Sequence, residues 1–326
     1  MRKPFVFVTR QVPEESLVAL KVVAEVEVWP EEEIPVPREL LLEKAKIASG
    51  LYTMLSDKID EELLNQAPHL KVVANLAVGF DNIDVKTASE RGIAVCNTPD
   101  VLSDTTADLT FALLMATGRR VVEAVDYVKQ GNWKNWAPLL LAGTDIHHKT
   151  IGVVGMGRIG SAVAKRATGF DMEILYHNRS RNIEAETKLG ASYVGFDELI
   201  ERSDYIVCLA PLTEETADLF TYEVFQSMKS SAIFINASRG GLVVEEDLIK
   251  ALSEEIIAGA GLDVYREEPI SVDHPLLRFS NVVALPHIGS ASDETRHEMA
   301  SLVSRNIAHV LRGDKPEAIV NEEVFK

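Results

Sequence analysis

A glycine-rich turn in the middle of the chain is the strongest constraint on the fold. Gly155, Gly157 and Gly160 follow the apolar run 151–154 and open a helical pattern. In such a strand–turn–helix the first glycine makes a tight turn, the second lets the backbone approach a pyrophosphate, and the third lets the helix pack closely on the strand. The pyrophosphate then lies at the N-terminus of the helix, whose N–H groups attract an anion. The pattern predicts a dinucleotide-binding unit, and an ordinary glycine-rich turn is the alternative.

The loop after the next predicted strand bears on which dinucleotide binds. An NAD enzyme carries an acidic residue about 20 residues beyond the glycines, where it binds the ribose hydroxyls. This chain has Asn178 there, followed by Arg179, Ser180 and Arg181. A neutral side chain with neighbouring donors suits a 2′-phosphate, which a carboxylate would repel, so the sequence favours NADPH. The alternative is a solvated loop whose arginines face water, with the neighbouring Glu184 or Glu186 binding one of them.

Short β-rich runs alternate with helical patterns along most of the chain, which predicts an α/β fold with parallel sheets. The predicted strands of the first part are 5–9, 25–29, 71–75 and 93–96. Those of the second part are 150–154, 174–177, 205–209, 232–236, 257–262 and 282–285, a doubly wound pattern. Residues 103–131 predict one long helix or a helix pair, and residues 292–312 predict a last helix ending at Gly313.

Charge and hydropathy exclude several classes of protein. The chain has 50 acidic residues against 33 Lys and Arg, a net charge of −17, which would repel nucleic acid and anionic membranes. No run reaches the roughly 18 apolar residues of a membrane span, and the run 5–8 is too short for a secretion signal. Cys96 and Cys208 lie in strand-like runs, so we expect buried, reduced thiols and a cytoplasmic protein. The histidines are scattered except for His147 and His148, and we predict no metal site.

Five motifs occur in order along the chain. They are residues 75–84 (NLAVGFDNID), 152–160 (GVVGMGRIG), 236–241 (NASRGG), 261–269 (GLDVYREEP) and 286–290 (PHIGS). Together they resemble the D-isomer-specific 2-hydroxyacid dehydrogenases, and within them the glyoxylate/hydroxypyruvate reductases. The resemblance implies two Rossmann-like or flavodoxin-like α/β domains with doubly wound parallel sheets. The substrate domain would comprise residues 1–99 and 288–326, with the dinucleotide-binding domain, residues 100–287, inserted in it.

The same resemblance implies catalytic roles for Arg239, Glu268 and His287. Arg239 would bind the substrate carboxylate and keto oxygen through its two-pronged guanidinium. His287 would donate a proton to the developing alkoxide, and Glu268 would stabilise the protonated imidazole. Each residue also has a structural alternative: a salt bridge at a helix start for Arg239, a solvated acidic turn for Glu268, and a structural histidine for His287.

Further site residues follow from the glycine turn and the resemblance. The predicted cofactor-binding residues are Gly155, Gly157, Arg158, Ile159, Gly160, Asn178, Arg179, Ser180, Pro211 and Asp263. The predicted substrate-binding residues are Tyr52, Val78, Gly79, Arg239 and Trp136, the last reaching from the partner subunit of a homodimer. Turn roles for Val78, Gly79 and Asp263, and core packing for Trp136, are the alternatives. Tyr52 departs from the small aliphatic residue that the resemblance leads us to expect.

The function implied is an NAD(P)-dependent reductase of small 2-ketoacids, glyoxylate and hydroxypyruvate, that gives D-2-hydroxy acids. We expect NADPH to be preferred, with NADH used more weakly. A 2-ketogluconate reductase is the first alternative, because a Tyr52 hydroxyl could contact a polyol. A non-catalytic cofactor-sensing protein, similar to the C-terminal-binding-protein corepressors, is the second.

Overall fold

The computed structural model describes residues 3–325, which divide into two compact units. The first unit comprises the described residues up to Leu102 together with those from Ser292 onward, and the second comprises Ser103–Ala291. The division falls a few residues beyond the boundaries that the resemblance implies. None of the helices in residues 3–325 combines the length with the apolar character of a membrane span.

The first unit contains a parallel five-stranded sheet. Its strands are β1 (Phe5–Val8), β2 (Glu25–Val28), β3 (Gly50–Thr53), β4 (Val72–Asn75) and β5 (Ala94–Cys96), and the first helices are α1 (Val18–Val23), α2 (Arg38–Ala45), α3 (Glu61–Asn65) and α4 (Val85–Glu90). The strand order β2-β1-β3-β4-β5 is the flavodoxin-like one. β3 was not predicted, because Tyr52 and Thr53 are its only two residues typical of a strand and form no recognisable run.

Alternate residues of these strands enter two separate hydrophobic cores. Leu51 and Val73 point into one core, whereas Tyr52 and Val72 point into the other. A parallel sheet with helices on both faces buries both sets of side chains, so its central strands are apolar throughout.

The second unit contains a parallel seven-stranded sheet. Its strands are β6 (Thr150–Val154), β7 (Glu173–His177), β8 (Ser192–Tyr193), β9 (Tyr205–Cys208), β10 (Ile233–Asn236), β11 (Gly259–Leu262) and β12 (Val282–Ala284). Its helices are α5 (Ser103–Gly118), α6 (Val121–Lys129), α7 (Arg158–Thr168), α8 (Ile183–Leu189), α9 (Phe196–Arg202), α10 (Tyr222–Gln226) and α11 (Glu245–Ser253). The strand order is β12-β11-β10-β9-β6-β7-β8. It reverses at β6, and ligands of doubly wound sheets bind beyond the carboxyl ends of the strands at such a point. The predicted fold class, an α/β protein with doubly wound parallel sheets, is confirmed.

The stretch 103–131 forms a helix pair, one of the two predicted arrangements. The break between α5 and α6 lies at Arg120, whose φ of +51° is left-handed and therefore cannot continue a helix. The Arg120 guanidinium forms two hydrogen bonds of 2.8 Å with the Glu123 carboxylate in the first turn of α6. This ion pair stabilises the start of the second helix.

The last helix, α12 (Asp293–Arg312), returns the chain to the first unit. The Ser292 hydroxyl caps its start by accepting the Thr295 N–H, and Gly313, with φ of +90°, ends it. The helix packs on the sheet at Gly50, where a Cβ would lie 3.1 Å from the Ile307 side chain. Both predicted ends of this helix are therefore confirmed.

Both cysteines are buried and unpaired, as predicted. Burial raises the pKa of the Cys96 thiol and of the Cys208 thiol to about 12. Neither thiol belongs to the predicted site residues.

Candidate active site

The glycine turn after β6 has a separate structural reason for each glycine. Gly155 has a φ of +101°, and a Cβ there would lie 2.5 Å from the Ala210 nitrogen, so only glycine fits. A Cβ on Gly160 would lie 2.2 Å from the Gly155 oxygen, which would force α7 away from β6. At Gly157, the N-cap of α7, no described atom lies within 4 Å of a Cβ position. The open side of the turn therefore faces the N-terminus of α7 and fits a diphosphate.

Three further residues predicted to bind the cofactor lie beside this turn. Arg158 and Ile159 are the first residues of α7, and Arg158 is exposed. Pro211 is also exposed and follows Ala210, which contacts Gly155. The Pro211 carbonyl accepts a hydrogen bond of 2.6 Å from the Thr216 hydroxyl, which orders the loop after β9.

The loop after β7 presents Asn178, Arg179 and Ser180. The Asn178 amide donates to the Ser180 carbonyl at 3.1 Å, and Arg179 and Ser180 are exposed. Arg181 pairs with the Glu186 carboxylate at 2.5 Å. For this one arginine, the alternative of a solvated loop with a glutamate partner is therefore correct. No salt bridge joins Arg179 to an acid within residues 3–325. Of the two arginines, Arg179 is therefore the one whose charge faces solvent without an acidic partner.

Arg239 is held by the turn that follows β10. The Asn236 side chain closes this turn by donating to the Arg239 carbonyl at 3.0 Å and accepting the Ser238 N–H at 3.1 Å. A Cβ on the next residue, Gly240, would lie 1.8 Å from the carbonyl carbon of Tyr265. Only glycine can make this contact, which brings the Arg239 loop against the loop that follows β11.

Glu268 and His287 form a direct hydrogen bond. The His287 Nδ1 lies 2.7 Å from the Glu268 Oε2, and the Tyr265 N–H donates to the other oxygen, Oε1, at 3.0 Å. Burial opposes ionisation of Glu268, but the His287 bond, the Tyr265 N–H and the Arg239 charge together hold its pKa below the ordinary value. A carboxylate only accepts hydrogen bonds, so Nδ1 is the donor. The Nε2 of His287 is therefore the nitrogen available to a ligand.

The backbone of His287 is left-handed, with φ of +54°. The residues around it are fixed: the Leu285 N–H donates to the Leu262 carbonyl at 2.8 Å, and the Ile288 N–H donates to the Asp263 Oδ1 at 2.8 Å. A left-handed non-glycine residue persists only where neighbouring contacts impose it. Here the two anchored neighbours impose it on His287.

Asp263, at the end of β11, is almost completely buried. Burial raises its pKa, against the opposing effects of the Ile288 N–H and the His287 charge. Its bond to Ile288 agrees with the alternative that Asp263 fixes a turn. A contact with the nicotinamide remains a prediction.

The predicted trio is thus brought together at the carboxyl ends of the neighbouring strands β10, β11 and β12. Tyr265 was not among the predicted site residues, although it contacts all three segments. Its N–H binds Glu268, its carbonyl contacts Gly240, and its hydroxyl donates to the Leu285 carbonyl at 3.0 Å. Its place between Asp263 and Glu268 in one motif was the available signal.

In the first unit, Val78 and Gly79 lie on the loop after β4. The Asn97 amide donates to the Val78 carbonyl at 2.8 Å, and the Asn75 amide donates to the Gly79 carbonyl at 2.9 Å. Within the described residues, neither the Val78 N–H nor the Gly79 N–H donates a hydrogen bond. With both carbonyls anchored, these two N–H groups are available to an anion.

The structure corrects the expectation for Tyr52. Its side chain has no exposed surface, and its hydroxyl donates to the Ala300 carbonyl of α12 at 3.3 Å. Tyr52 belongs to one of the two cores of the first unit and does not line a substrate surface.

Trp136 is 76% exposed and Trp133 is 59% exposed, so core packing, the alternative for Trp136, is wrong within this chain. The backbone N–H of Trp136 donates to the Asn135 side-chain oxygen at 2.8 Å. Its predicted contact with a partner subunit remains a prediction.

Comparison with known proteins agrees with these motifs. The family model "D-isomer specific 2-hydroxyacid dehydrogenase, NAD binding domain" matches residues 111–289. The glyoxylate reductase of Korarchaeum cryptofilum is 49% identical over 99% of this chain and 98% of its own length. That of Pyrococcus furiosus is 50% identical over 99% of this chain and 97% of its own length.

The chain belongs to the D-isomer-specific 2-hydroxyacid dehydrogenases. Solved structures are similar over nearly the whole chain. A Thermus thermophilus protein has a TM-score of 0.90 at 43% identity, covering 97% of this chain and 99% of that one. An NADPH-dependent glyoxylate/hydroxypyruvate reductase from Sinorhizobium meliloti, in complex with NADP and malonate, has a TM-score of 0.87 at 33% identity, covering 99% and 98%. The dehydrogenase is therefore an NAD(P)-dependent oxidoreductase that acts as a 2-ketoacid reductase, as the motifs predicted.

The Glu268–His287 bond predicts a pH effect. The lowered pKa of Glu268 keeps its carboxylate charged at neutral pH, and the charge is lost only as the pH falls below the usual range of a glutamate. Glu268→Gln removes the charge that stabilises a protonated His287. We expect the basic limb of the kcat/KM profile for ketoacid reduction to move to lower pH.

Glu267→Gln is the matched control, because Glu267 is the exposed neighbour of Glu268. The measurement is the pH profile of kcat/KM for both variants and the wild type with one substrate. An unmoved basic limb in Glu268→Gln would show that Glu268 has only a structural role.

Proposed function

We propose that this dehydrogenase reduces small 2-ketoacids, glyoxylate first and then hydroxypyruvate, with NADPH as the preferred donor. The product is the D-2-hydroxy acid wherever a stereocentre forms. The observation that carries the proposal is the Glu268–His287 hydrogen bond, with the Arg239 charge acting on the same carboxylate. The names of the two archaeal relatives, both glyoxylate reductases, support the choice of first substrate.

Each residue of the trio has a distinct role in this proposal. Arg239 binds the carboxylate and the keto oxygen, which fixes the carbonyl carbon for reaction. A bound nicotinamide supplies the hydride. His287 donates its Nε2 proton to the oxygen as negative charge develops there. Glu268, which accepts the hydrogen bond from Nδ1, keeps the ring oriented and places a negative charge beside it.

Other predicted residues bind the two ligands. The glycine turn binds the diphosphate together with Arg158 and Ile159. The 2′-phosphate is bound by Asn178, Arg179 and Ser180. The remainder of the cofactor contacts Pro211 and Asp263. For Val78 and Gly79 we propose that their two available N–H groups bind an anion such as a carboxylate. The bound NADP of the Sinorhizobium meliloti enzyme supports the choice of NADPH, with NADH used more weakly.

No observation favours a second function. The 2-ketogluconate alternative rested on the Tyr52 hydroxyl, which binds the Ala300 carbonyl in the core. Nothing in the described residues favours the cofactor-sensing alternative over catalysis either.

An exposed apolar surface supports a homodimer. None of the residues of α6 is buried, and its exposed side chains include Val121, Val122, Val125 and Val128. The segment that follows exposes Trp133, Trp136 and Leu139. Exposed apolar side chains in such number are typical of a protein–protein interface. We propose that a second copy of the chain covers it and that Trp136 of the partner subunit contributes to the substrate site.

The proposed activity predicts that His287→Ala lowers kcat by roughly 10² to 10⁴-fold, the usual effect of losing a general acid. Binding of NADPH, measured by fluorescence titration, should stay within a few-fold of the wild type. In the same assay, kcat/KM should be higher for glyoxylate and hydroxypyruvate than for 2-ketoisocaproate and 2-ketogluconate. A wild-type rate for His287→Ala, or a preference for the branched ketoacid, would contradict the proposal.

Asn178→Asp places a carboxylate where the 2′-phosphate is proposed to bind. Repulsion should lower kcat/KM with NADPH and shift preference toward NADH. Asn182→Asp offers no useful control, because the Asn182 side chain itself ties this loop to the Met156 carbonyl. The control is Asp197→Asn, a charge change at an exposed residue of α9 that should leave the cofactor preference unchanged. Equal or better use of NADH by the wild type would refute the NADPH assignment.

Val125→Glu places a charge on the proposed dimer surface. We expect it to give a monomer by light scattering, because a buried unpaired carboxylate is costly. Val272→Glu, at a residue that is 89% exposed, is the control and should leave the assembly unchanged. In the intact dimer, Trp136→Ala should raise the KM of the ketoacid more than that of NADPH. A wild type that is monomeric at assay concentration would rule out the assembly.

A further inference from the structure

A second glutamate–histidine pair lies in the same unit as the trio. Glu245 is the first residue of α11, and its Oε1 accepts the Arg266 N–H at 2.6 Å. Its other oxygen, Oε2, lies 3.5 Å from the His274 Nε2. The two side chains are only 14% and 23% exposed. The pair is therefore well shielded from solvent, although neither residue belongs to the trio.

The ring of His274 faces Glu245 in a fixed orientation. Its Nδ1 accepts the Leu276 N–H at 3.4 Å and caps the 3-10 helix Pro275–Arg278. In the neutral ring, an accepting Nδ1 requires that Nε2 carry the hydrogen. Nε2 then faces the Glu245 Oε2 at 3.5 Å, so the carboxylate lies between the His274 ring and the Arg266 peptide, whose N–H binds it.

Glu245 joins the two loops that carry Arg239 and Glu268. The loop after β10 begins near Arg239 and ends at Glu245, whereas the loop after β11 carries both Arg266 and Glu268. The Gly240–Tyr265 contact closes one end of this pair of loops, and the Glu245–Arg266 bond closes the other.

Arg266 adds a further link between the same loops. Its guanidinium donates to the Val243 carbonyl at 2.8 Å and pairs with Asp218. Its peptide nitrogen follows Tyr265, whose own N–H binds the Glu268 carboxylate. Two consecutive N–H groups of one turn are thus bound, one by Glu245 and one by Glu268. Movement of the Arg266 peptide, which Glu245 binds, would displace the Tyr265 N–H from Glu268.

We propose that Glu245 is a positioning residue for the reduction, holding the turn 265–268 so that the Glu268 carboxylate meets His287 Nδ1. Glu245 itself touches neither substrate nor cofactor in this scheme. The inference rests on the roles proposed above for Glu268 and His287.

An acidic residue in the first turn of a helix also has an ordinary structural use, because it interacts favourably with the helix dipole. Two neighbours share that use and serve as controls. Glu246 is exposed, in the same turn. Asp247 accepts the Tyr222 N–H at 2.9 Å and so stabilises the start of α10. Glu246→Ala tests the dipole effect alone, and Asp247→Ala tests a structural bond that does not involve the trio.

The experiment compares Glu245→Ala, Glu245→Gln and the two controls with glyoxylate and NADPH. Glu245→Ala should lower kcat by on the order of tenfold, because a displaced catalytic group loses its alignment. Its basic pH limb should move to lower pH, as in Glu268→Gln, while NADPH binding by fluorescence stays unchanged. Glu245→Gln keeps an oxygen for the Arg266 N–H and should recover most of the activity. Glu246→Ala should match the wild type, and Asp247→Ala should lower Tm without moving the pH limb.

A double-mutant cycle separates positioning from general stability. If Glu245 acts through Glu268, Glu245→Ala should cost less than about twofold in the Glu268→Gln background. Equal losses in both backgrounds, or an unmoved pH limb, would overturn the inference. If Glu245→Ala does not fold, Glu245→Asp carries the same test, since its carboxylate is one methylene shorter. Wild-type activity in both Glu268→Gln and His287→Ala would instead contradict the proposed function.

Discussion

No side chain fits between Gly240 and the backbone carbonyl of Tyr265, and the spacing of the site depends on this contact. Parallel strands alone would place the loops after β10 and β11 at the same edge of the sheet, several ångströms apart. The direct backbone contact removes that gap. It lets the charge of Arg239 act on Glu268, and it places the Tyr265 N–H where it binds the same carboxylate.

The balance of charge around the site is local. The chain carries a net charge of −17, yet the proposed ligands are anions. The groups that would receive them are the N-terminus of α7, the exposed Arg179, Arg239 and the two available N–H groups of Val78 and Gly79. Backbone dipoles and single guanidinium groups act over short distances in a partly desolvated site, where the acidic surface has little effect because salt screens it. An acidic protein can therefore bind anionic ligands without a basic surface.

The sequence predicted those features that depend on local pattern. The glycine turn, both ends of α12 and most strands follow from spacing and propensity, and the trio follows from the motifs. Tyr52 was misplaced for a physical reason: in a sheet buried on both faces every strand residue is apolar, so the pattern does not show which core a side chain enters. The helix break at Arg120 was left open because a left-handed residue needs no glycine or proline. The role proposed for Glu245 had no signal, since acidic residues are common at helix starts.

At His287 the backbone conformation that the fold requires and the side chain that the proposed chemistry requires favour different residues. Glycine, and to a lesser degree asparagine, adopts this conformation at lower cost than histidine, so either would relieve strain that the anchored residues 285 and 288 impose. Neither could act as the proton donor that we propose for His287. Selection for thermal stability alone would drift away from histidine here, whereas selection for turnover would restore it. The left-handed φ of this residue therefore indicates a stability cost that is retained for the proposed activity, and inspection of the side chain alone would not show it.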